Sequence, residues 1–325
     1  MAKKIAVVTG YAGFIGSTFT KKLLEEGWYV YCIDRFSHVS NIPQSDTLFS
    51  TYKDRMHILN ADICDLGWLP ECDVIFNLAA ESDVDIGNQN AFHFVRSNID
   101  GVRNLLSIIQ QRIIIRTDKP LFFQVSTDEV YGDIQEGSFS EKSELNPSNP
   151  YAATKASADL LIQSWARTHG LDYIIARPSN NYGLYQYPEK LIPICCKRLS
   201  RGKKIKLHNE GTPVRTWTHT EDTAEALLTL YEKAERNKIY NISSEFEQTN
   251  LETVTKLVNA YFLEKINRQV PDLENHLDLS YTRPGQDVRY AISCDPLKSL
   301  GWEPKKVFDE ELVKLVNHYK KNWSW

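Results

Sequence analysis

The 325-residue chain contains no apolar run long enough to cross a bilayer, so a membrane-spanning helix is not expected. It also lacks a surplus of basic residues. Its 38 lysines and arginines stand against 42 acids, for a net charge of −4. General nucleic-acid binders are usually basic, so a nucleic-acid partner is disfavoured, although an anionic ligand can still be held by a locally built phosphate site. The six cysteines, Cys32, Cys64, Cys72, Cys195, Cys196 and Cys294, form no CxxC pair and show no His/Cys metal spacing. Most lie in apolar stretches. Buried reduced thiols, no metal and a cytoplasmic setting follow as expectations. The first residues run directly into the apolar strand Lys4-Ile5-Ala6-Val7-Val8 without the layout of a signal peptide. No internal repeat, heptad or low-complexity tract occurs.

What the chain does contain is a regular alternation. Ile5–Thr9, Tyr29–Ile33, Met56–Asn60, Val74–Leu78, Leu121–Ser126 and Asp172–Ala176 read as strands. Phe14–Glu26, Ala91–Ile115 and Pro150–His169 read as helices. Strands alternating with helices imply a Rossmann-like, doubly wound parallel sheet. After about Arg177 the rhythm changes. The segment Pro178–Lys190, rich in Asn, Gly, Pro and Tyr, reads as an ordered loop. Helices follow near Lys190–Arg201, Glu221–Ala234, Leu251–Phe262 and Asp309–Lys320. The expected organisation is a first domain over 1–178 and a smaller, interleaved substrate domain over 179–325, some of whose segments return to the first.

Between the first strand and first helix lies Thr9-Gly10-Tyr11-Ala12-Gly13-Phe14-Ile15-Gly16. Glycines at this spacing permit a tight turn and let backbone N–H groups approach a pyrophosphate at a helix N-terminus. Asp34 closes the second strand 18 residues after Gly16. A carboxylate there can accept both ribose hydroxyls of NAD and would repel the 2′-phosphate of NADP. Arg35, directly after it, weighs slightly the other way. Asp62 and Ile63 follow the third strand and are placed to meet an adenine. A lone glycine pattern is weak; its strand–helix context and the acid after the second strand make a dinucleotide site the better reading.

Tyr151 and Lys155 form a YxxxK pair one helical turn apart, on one face of a helix that starts after Pro150. A nearby ammonium favours phenolate, so Lys155 is expected to lower the Tyr151 pKa and make it a general base toward a hydroxyl. The strand Leu121–Ser126 runs into Thr127-Asp128-Glu129. Ligands of open parallel sheets bind beyond the carboxyl ends of strands, where these acids stand. Any one of these features alone would more often be a surface coincidence or a helix cap; their order and separation argue otherwise.

Gly10–Gly16, Leu78-Ala79-Ala80, Ser126–Gly132, Tyr151–Lys155 and Asn180-Asn181-Tyr182-Gly183 together resemble the extended short-chain dehydrogenase/reductases. Within them, Thr127-Asp128-Glu129 resembles the nucleoside-diphosphate-glucose 4,6-dehydratases, whereas the related epimerases and decarboxylases characteristically lack the Asp-Glu pair. The similarity continues through Pro188–Pro193, Arg215-Thr216-Trp217 and Arg283-Pro284-Gly285. It implies an NAD enzyme of nucleotide-sugar metabolism that oxidises glucose C4, eliminates water across C5 and C6, and reduces C6. Tyr151 would take the C4 hydroxyl proton, Glu129 the C5 proton, and protonated Asp128 would donate to the leaving C6 hydroxyl. Thr127 would bond the C4 oxygen and Lys155 the nicotinamide ribose. By the same resemblance, Leu78, Ala79, Ala80, Ser82, Ser97 and Asn181 join the cofactor contacts. Ser82, Thr127, Asn180, Lys190, Leu191, His208, Arg215, Asn250 and Arg283 become substrate contacts.

Three departures concern the nucleotide. Asp83-Val84-Asp85-Ile86-Gly87 stands where the bacterial dTDP-glucose enzymes have His-Val-Asp-Arg-Ser. Thr282–Gln286 stands for Asp-Arg-Pro-Gly-His, and Lys206-Leu207-His208 for Pro-Ile-Tyr. A His at the third of these positions is similar to the UDP-glucose dehydratases of plant rhamnose synthesis, so UDP-glucose is expected over dTDP-glucose. A homodimer is also expected. Phe92, Phe94, Val95, Ile99, Val102, Leu105, Leu106, Ile108 and Ile109 on one helix, with Leu160, Leu161, Ile162 and Trp165 on another, cover more than one narrow stripe. The family pairs these helices across a two-fold axis.

Overall fold

Val7 and Val8 are neighbours, fully buried, and belong to different hydrophobic cores. A strand covered on both faces reads as a continuous apolar run because every second residue still needs a dry environment. The computed structural model describes residues 3–115, 119–262, 272–282 and 287–321. Along the chain run β1 Ile5–Thr9, α1 Phe14–Glu25, β2 Tyr29–Asp34, α2 Ile42–Tyr52, β3 Met56–Asn60, β4 Val74–Asn77, α3 Val84–Gln89, α4 Phe92–Phe94, α5 Gly101–Ile115, β5 Leu121–Val125, α6 Pro150–His169 and β6 Tyr173–Pro178. Then come β7 Asn180–Tyr182, α7 Leu191–Ser200, β8 Ile205–His208, β9 Val214–His219, α8 Thr220–Lys233, β10 Lys238–Ile242, β11 Glu247–Thr249, α9 Asn250–Phe262, β12 Leu277–Tyr281, α10 Asp295–Ser299 and α11 Phe308–Lys321.

Seven strands form one sheet in the order β10-β6-β5-β4-β1-β2-β3. Every pair in it is parallel. This is the expected Rossmann-like α/β sheet, and the order reverses between β1 and β4, which opens a crevice at the carboxyl ends of both. α1 and α8 cover one face, burying Phe19, Leu23, Leu24 and Leu227 against Val8, Phe76 and Phe123. α5 and α6 cover the other, burying Leu105, Leu106, Ile109 and Ile162 against Val7, Ile75 and Phe122. A third core joins α7, α9 and α11 beside two small sheets, β11-β9-β7 and β12-β8. β10 and α8 lie late in the sequence yet serve the first sheet, so chain order and spatial layer do not coincide.

Two readings of the sequence change here. Ala91–Ile115 is not one regular helix: a π-helical turn, Val95–Asp100, separates α4 from α5. It turns Asn98 inward to bracket Glu81, accepting from its N–H at 2.8 Å and donating to its carbonyl at 3.0 Å. Asn98 also donates to the Thr154 hydroxyl on α6 at 2.9 Å. The loop Pro178–Lys190 contains the short strand β7, which pairs with β9. As for the broad apolar coverage of α5 and α6, Phe94, Val102, Leu105, Leu106, Ile108, Ile109 and Ile162 are spent inside the subunit. Phe92 (66% exposed), Val95 and Leu160 (57%) remain on the surface.

One ion pair is entirely enclosed. Arg177 on β6 and Asp159 on α6 are 1% and 0% exposed. The guanidinium donates through Nε at 3.0 Å and Nη2 at 2.9 Å to one carboxylate oxygen, which also accepts from the Ser126 hydroxyl at 3.0 Å. Removing one partner of such a pair strands the other charge in a dry interior. Arg177→Met should therefore lower unfolding stability by about 3–5 kcal/mol. The double change Arg177→Met with Asp159→Leu should recover much of that loss. Urea midpoints compared at equal slope check both outcomes.

Candidate active site

Gly10 leaves β1 with φ +70, a conformation only glycine adopts freely. A Cβ there would meet the Ala79 backbone nitrogen at 2.6 Å, and one on Gly16 would meet the Gly10 carbonyl oxygen at 2.0 Å. The turn is thus folded tightly between β4 and α1, with backbone alone facing the crevice. A cavity of about 100 Å³ lies against it. Its walls include Gly10, Gly13, Asp34, Arg35, Asp62, Ile63, Leu78, Ala79, Ala80 and Ser97. The Asp34 carboxylate accepts from the N–H groups of Ala12 (3.1 Å) and Phe36 (2.8 Å) and from the Ser40 hydroxyl (3.1 Å). Burial raises its pKa nonetheless. Arg35 is turned onto two acids, Asp62 at 3.3 Å and Glu81, so its charge is already matched. A backbone-lined glycine cradle with a carboxylate beside it fits a dinucleotide whose ribose carries free hydroxyls. Phe14, Ile15 and Gly16 are not among these walls; Gly16 serves the close approach of the turn to its own helix.

At the carboxyl end of β5 the backbone turns into one 3₁₀ turn, Asp128–Tyr131. The Thr127 hydroxyl caps it, accepting from the Glu129 N–H at 3.3 Å, and contacts the Asp128 carboxyl at 3.4 Å. Asp128 is 3% exposed, and its second oxygen has no hydrogen-bond partner. Burial, then the charge of Glu129, raises its pKa to about 8. Its surroundings therefore favour the protonated acid near neutral pH. Burial also raises the Glu129 pKa, but Asn149 donates to that carboxylate at 3.1 Å, and Arg215 and Lys190 oppose the rise.

Asn149 caps α6, accepting from the Ala152 N–H at 2.9 Å, and Pro150 starts the helix. The cap sets Tyr151 in the first turn, above Thr127 and the acids. The expected lowering of the Tyr151 pKa by Lys155 is not found. Burial raises it strongly and the charges of Glu129 and Asp128 add to the rise, with only a hydrogen bond to Thr127 opposing. The Lys155 ammonium instead donates to the Val125 carbonyl at 2.7 Å. Burial lowers its own pKa to about 8.

Glu129 opens onto a larger cavity of about 350 Å³, shared with Ser82, Asn180, Lys190, Leu191, His208, Arg215 and Asn250. Asn181 lines this cavity rather than the glycine cradle, because β7 leaves the sheet toward β9; Ser82, expected at both, also lies here. Lys190 donates to the Ser82 carbonyl at 3.0 Å. The buried side-chain oxygens of Asn180 and Asn181 and Nδ1 of His208 have no protein partner. Thr127, Asp128, Tyr151 and Lys155 are not in the open wall of either cavity. Arg283 lies outside the described residues. Among those residues no His/Cys/Asp/Glu group could hold a metal, and no helix is long and apolar enough to cross a membrane. The sequence reading missed Asn149, Lys206, Asp287 and Tyr290, all on the cavity wall. Asn149-Pro150 was a readable helix start; the other three carry no local signal.

The family described as GDP-mannose 4,6 dehydratase matches residues 7–315. The low-salt glycan biosynthesis protein Agl12 of Haloferax volcanii is 38% identical, covering 96% of this chain and 97% of its own length. The dTDP-glucose 4,6-dehydratase of Haemophilus influenzae is 35% identical, covering 98% of each. The crystal structure of the dTDP-glucose 4,6-dehydratase DesIV from Streptomyces venezuelae, with NAD bound, superposes with a TM-score of 0.87 at 33% identity, over 98% of this chain and 97% of that one. A match along nearly the whole chain, around a glycine cradle and an Asp-Glu pair facing a tyrosine, makes this protein a member of the nucleotide-sugar 4,6-dehydratase family.

Proposed function

We propose that the chain is an NAD-dependent hydro-lyase that converts a nucleoside-diphosphate-glucose to its 4-keto-6-deoxy product. One observation carries this reading: two adjacent carboxyl groups at the end of β5 stand in different surroundings. Asp128 is sealed, and burial with the charge of Glu129 raises its pKa to about 8, while Glu129, also raised by burial, lines the cavity with Asn149, Arg215 and Lys190 opposing the rise. Two carboxyl groups in such different surroundings suit one acid and one base. An epimerase, which only moves hydrogen at C4, has no use for either.

Bound NAD would accept hydrogen from C4 and return it to C6. Tyr151 takes the proton of the C4 hydroxyl, with Thr127 steadying that oxygen. The Tyr151 pKa in the free protein is high, so the positive ring of a bound NAD would be needed to favour its phenolate. Glu129 removes the C5 proton made acidic by the 4-ketone. Asp128 gives its proton to the departing C6 hydroxyl. Lys190 and Arg215 meet the diphosphate, where a forked guanidinium is apt, and Asn180, Leu191, His208 and Asn250 line the rest of the nucleotide's path. The part of the chain over 1–178 is read as the dinucleotide domain and 179–325 mainly as the nucleotide-sugar domain. Five of the six cysteines are buried, which supports a cytoplasmic setting with reduced thiols.

The nucleotide is read two ways. His208 and the segment Ile86-Gly87-Asn88-Gln89-Asn90 favour UDP-glucose; the names of several relatives favour dTDP-glucose about equally well. The sequence-based reading expects a higher kcat/KM with UDP-glucose when both are assayed side by side, and a higher value with dTDP-glucose reverses the assignment. Either product should be a ketone absorbing in alkali; a galactose-configured product with neither nucleotide-sugar giving a ketone would make the chain an epimerase.

Glu129→Gln keeps the size of the side chain but cannot take the C5 proton. Mixed with substrate it should show NADH absorbance without 6-deoxy product, turnover falling by roughly two to four orders of magnitude. Tyr151→Phe should show neither signal. Near wild-type turnover by Glu129→Gln would remove Glu129 as the base.

The homodimer is proposed on the exposed Phe92, Val95 and Leu160, which stand on the packed elements α4, the π turn and α6. Sedimentation at micromolar concentration should give a dimer that Leu160→Glu dissociates; a wild-type monomer refutes the pairing.

A further inference from the structure

Tyr290 follows the smaller sheets late in the chain, is 5% exposed, and has no place in the chemistry above. Its ring carries the Arg215 guanidinium 4.5 Å from the ring centre. Its hydroxyl stands between two carboxylates, hydrogen-bonded to Asp287 and 3.5 Å from the Glu129 oxygen that also accepts from Asn149. The Ser148 hydroxyl donates to the same Asp287 oxygen. A phenol has a single proton to give and a lone pair to accept with. It can serve both carboxylates at once only if one of them is itself protonated.

We propose that the Tyr290 hydroxyl is a positioning group that turns its one hydrogen bond between Glu129 and Asp287 as Glu129 loses and gains a proton. While Glu129 is ionised, the hydroxyl donates to it, and Ser148 keeps Asp287 satisfied. Once Glu129 has taken a proton, its carboxylic acid donates to the phenol oxygen, and the phenol donates to Asp287. Tyr290 neither gains nor loses a proton in either state. The carboxylate is thereby held in one place through both protonation states, with its other oxygen left to meet the substrate. This inference rests on the proposed role of Glu129. The ionisable groups facing Glu129 among the described residues are Asp128 on its own turn, Tyr151 on α6, Lys190 before α7, Arg215 on β9, and Asp287 with Tyr290.

The arrangement predicts opposite effects of two changes. Tyr290→Phe keeps the ring under Arg215 but removes the donor to the Glu129 anion, so the Glu129 titration should move up in pH. Asp287→Asn removes a negative charge that disfavours the Glu129 anion and frees Tyr290 to donate to it, so the titration should move down. Each shift should be about one pH unit, the scale of one hydrogen bond to a charged group. The measurement is an isotope-edited infrared titration of the holoenzyme, with the Glu129 band assigned by its loss in Glu129→Gln. It requires no turnover, so a wild-type protein inactive on both glucose nucleotides would sink the dehydratase reading while the titrations still decide this one. In the active enzyme, Tyr290→Phe should slow elimination roughly 10- to 100-fold, with C4 oxidation at the wild-type rate. Unshifted titrations, shifts of the same sign, or equal slowing of both steps would overturn the proposal. Should Tyr290→Phe fail to fold, Tyr290→Leu, which also lacks the hydroxyl, decides it by an upward shift, since the lost charge alone accounts for the sign of the Asp287→Asn shift.

Discussion

The attachment of α6 to the ends of β5 and β6 is the constraint on which the rest of the site depends. Three polar links make it, all in the dry interior. Lys155 donates to the Val125 carbonyl, Ser126 donates to Asp159, and Arg177 forks onto the same carboxylate oxygen. Buried hydrogen bonds are directional and costly to leave unmade, so they fix rotation and register where apolar packing alone would tolerate slippage. A helix held at Lys155 and Asp159, one turn apart, has its first turn set as well. The Asn149 cap then leaves Tyr151 one position, opposite Thr127-Asp128-Glu129. The geometry of the candidate site is therefore a consequence of how one helix is bolted to two strands.

That construction has an electrostatic consequence. Asp128, Glu129 and Tyr151 are acids brought together in a poorly solvated space, and all three are pushed toward their protonated forms. Lys155 is pushed the other way, toward the neutral amine, for the same reason. Each shift marks a charge that the free protein disfavours and that a ligand of complementary charge can restore. A cationic nicotinamide beside Tyr151 would be such a ligand. The site in the free protein is electrostatically incomplete in the sense that such a cation would correct.

The sheet was legible in the sequence because its signal is local. Val7 and Val8, or Ile174 and Ile175, are buried on opposite faces, and an unbroken apolar strand between helices admits few architectures. The glycine cradle was legible for the same reason, since Gly10 and Gly16 meet backbone within 3 Å and only glycine fits. What could not be read was anything set by contacts distant in sequence. The π turn in Ala91–Ile115 exists because Asn98 must reach Glu81 and Thr154, and nothing between Ala91 and Ile115 announces that. The inference that Lys155 activates Tyr151 assumed that two residues on one helix face must act on each other; the nearer partner of Lys155 is a carbonyl 30 residues away. Much of the apolar excess on α5 likewise belongs to the subunit's own core, a distinction that periodicity does not make.

Distance in sequence also explains why the cavity needs the second half of the chain. Strand ends of the first sheet supply Glu129 and, through the turn after β4, Ser82, but they present acids and backbone rather than cations. Lys190, His208, Arg215 and Asn250 come from segments that pack around α7, α9 and α11. β10 and α8 tie those segments back to the first sheet, with β10 paired along β6 and α8 packed on α1. Isolated bridges, Phe139 to Ile292 and Val214 to Arg289, stitch the late segment beside both halves. Arg289 reinforces the seam, with its guanidinium on Glu247 at 2.8 and 2.9 Å and on the Gly137 carbonyl at 2.8 Å. Interleaving thus turns what could be a hinge between two lobes into a joint crossed several times by the backbone. Glu129 on one side and Tyr290 on the other can then keep their 3.5 Å spacing while a bulky anionic ligand occupies the cavity that both line.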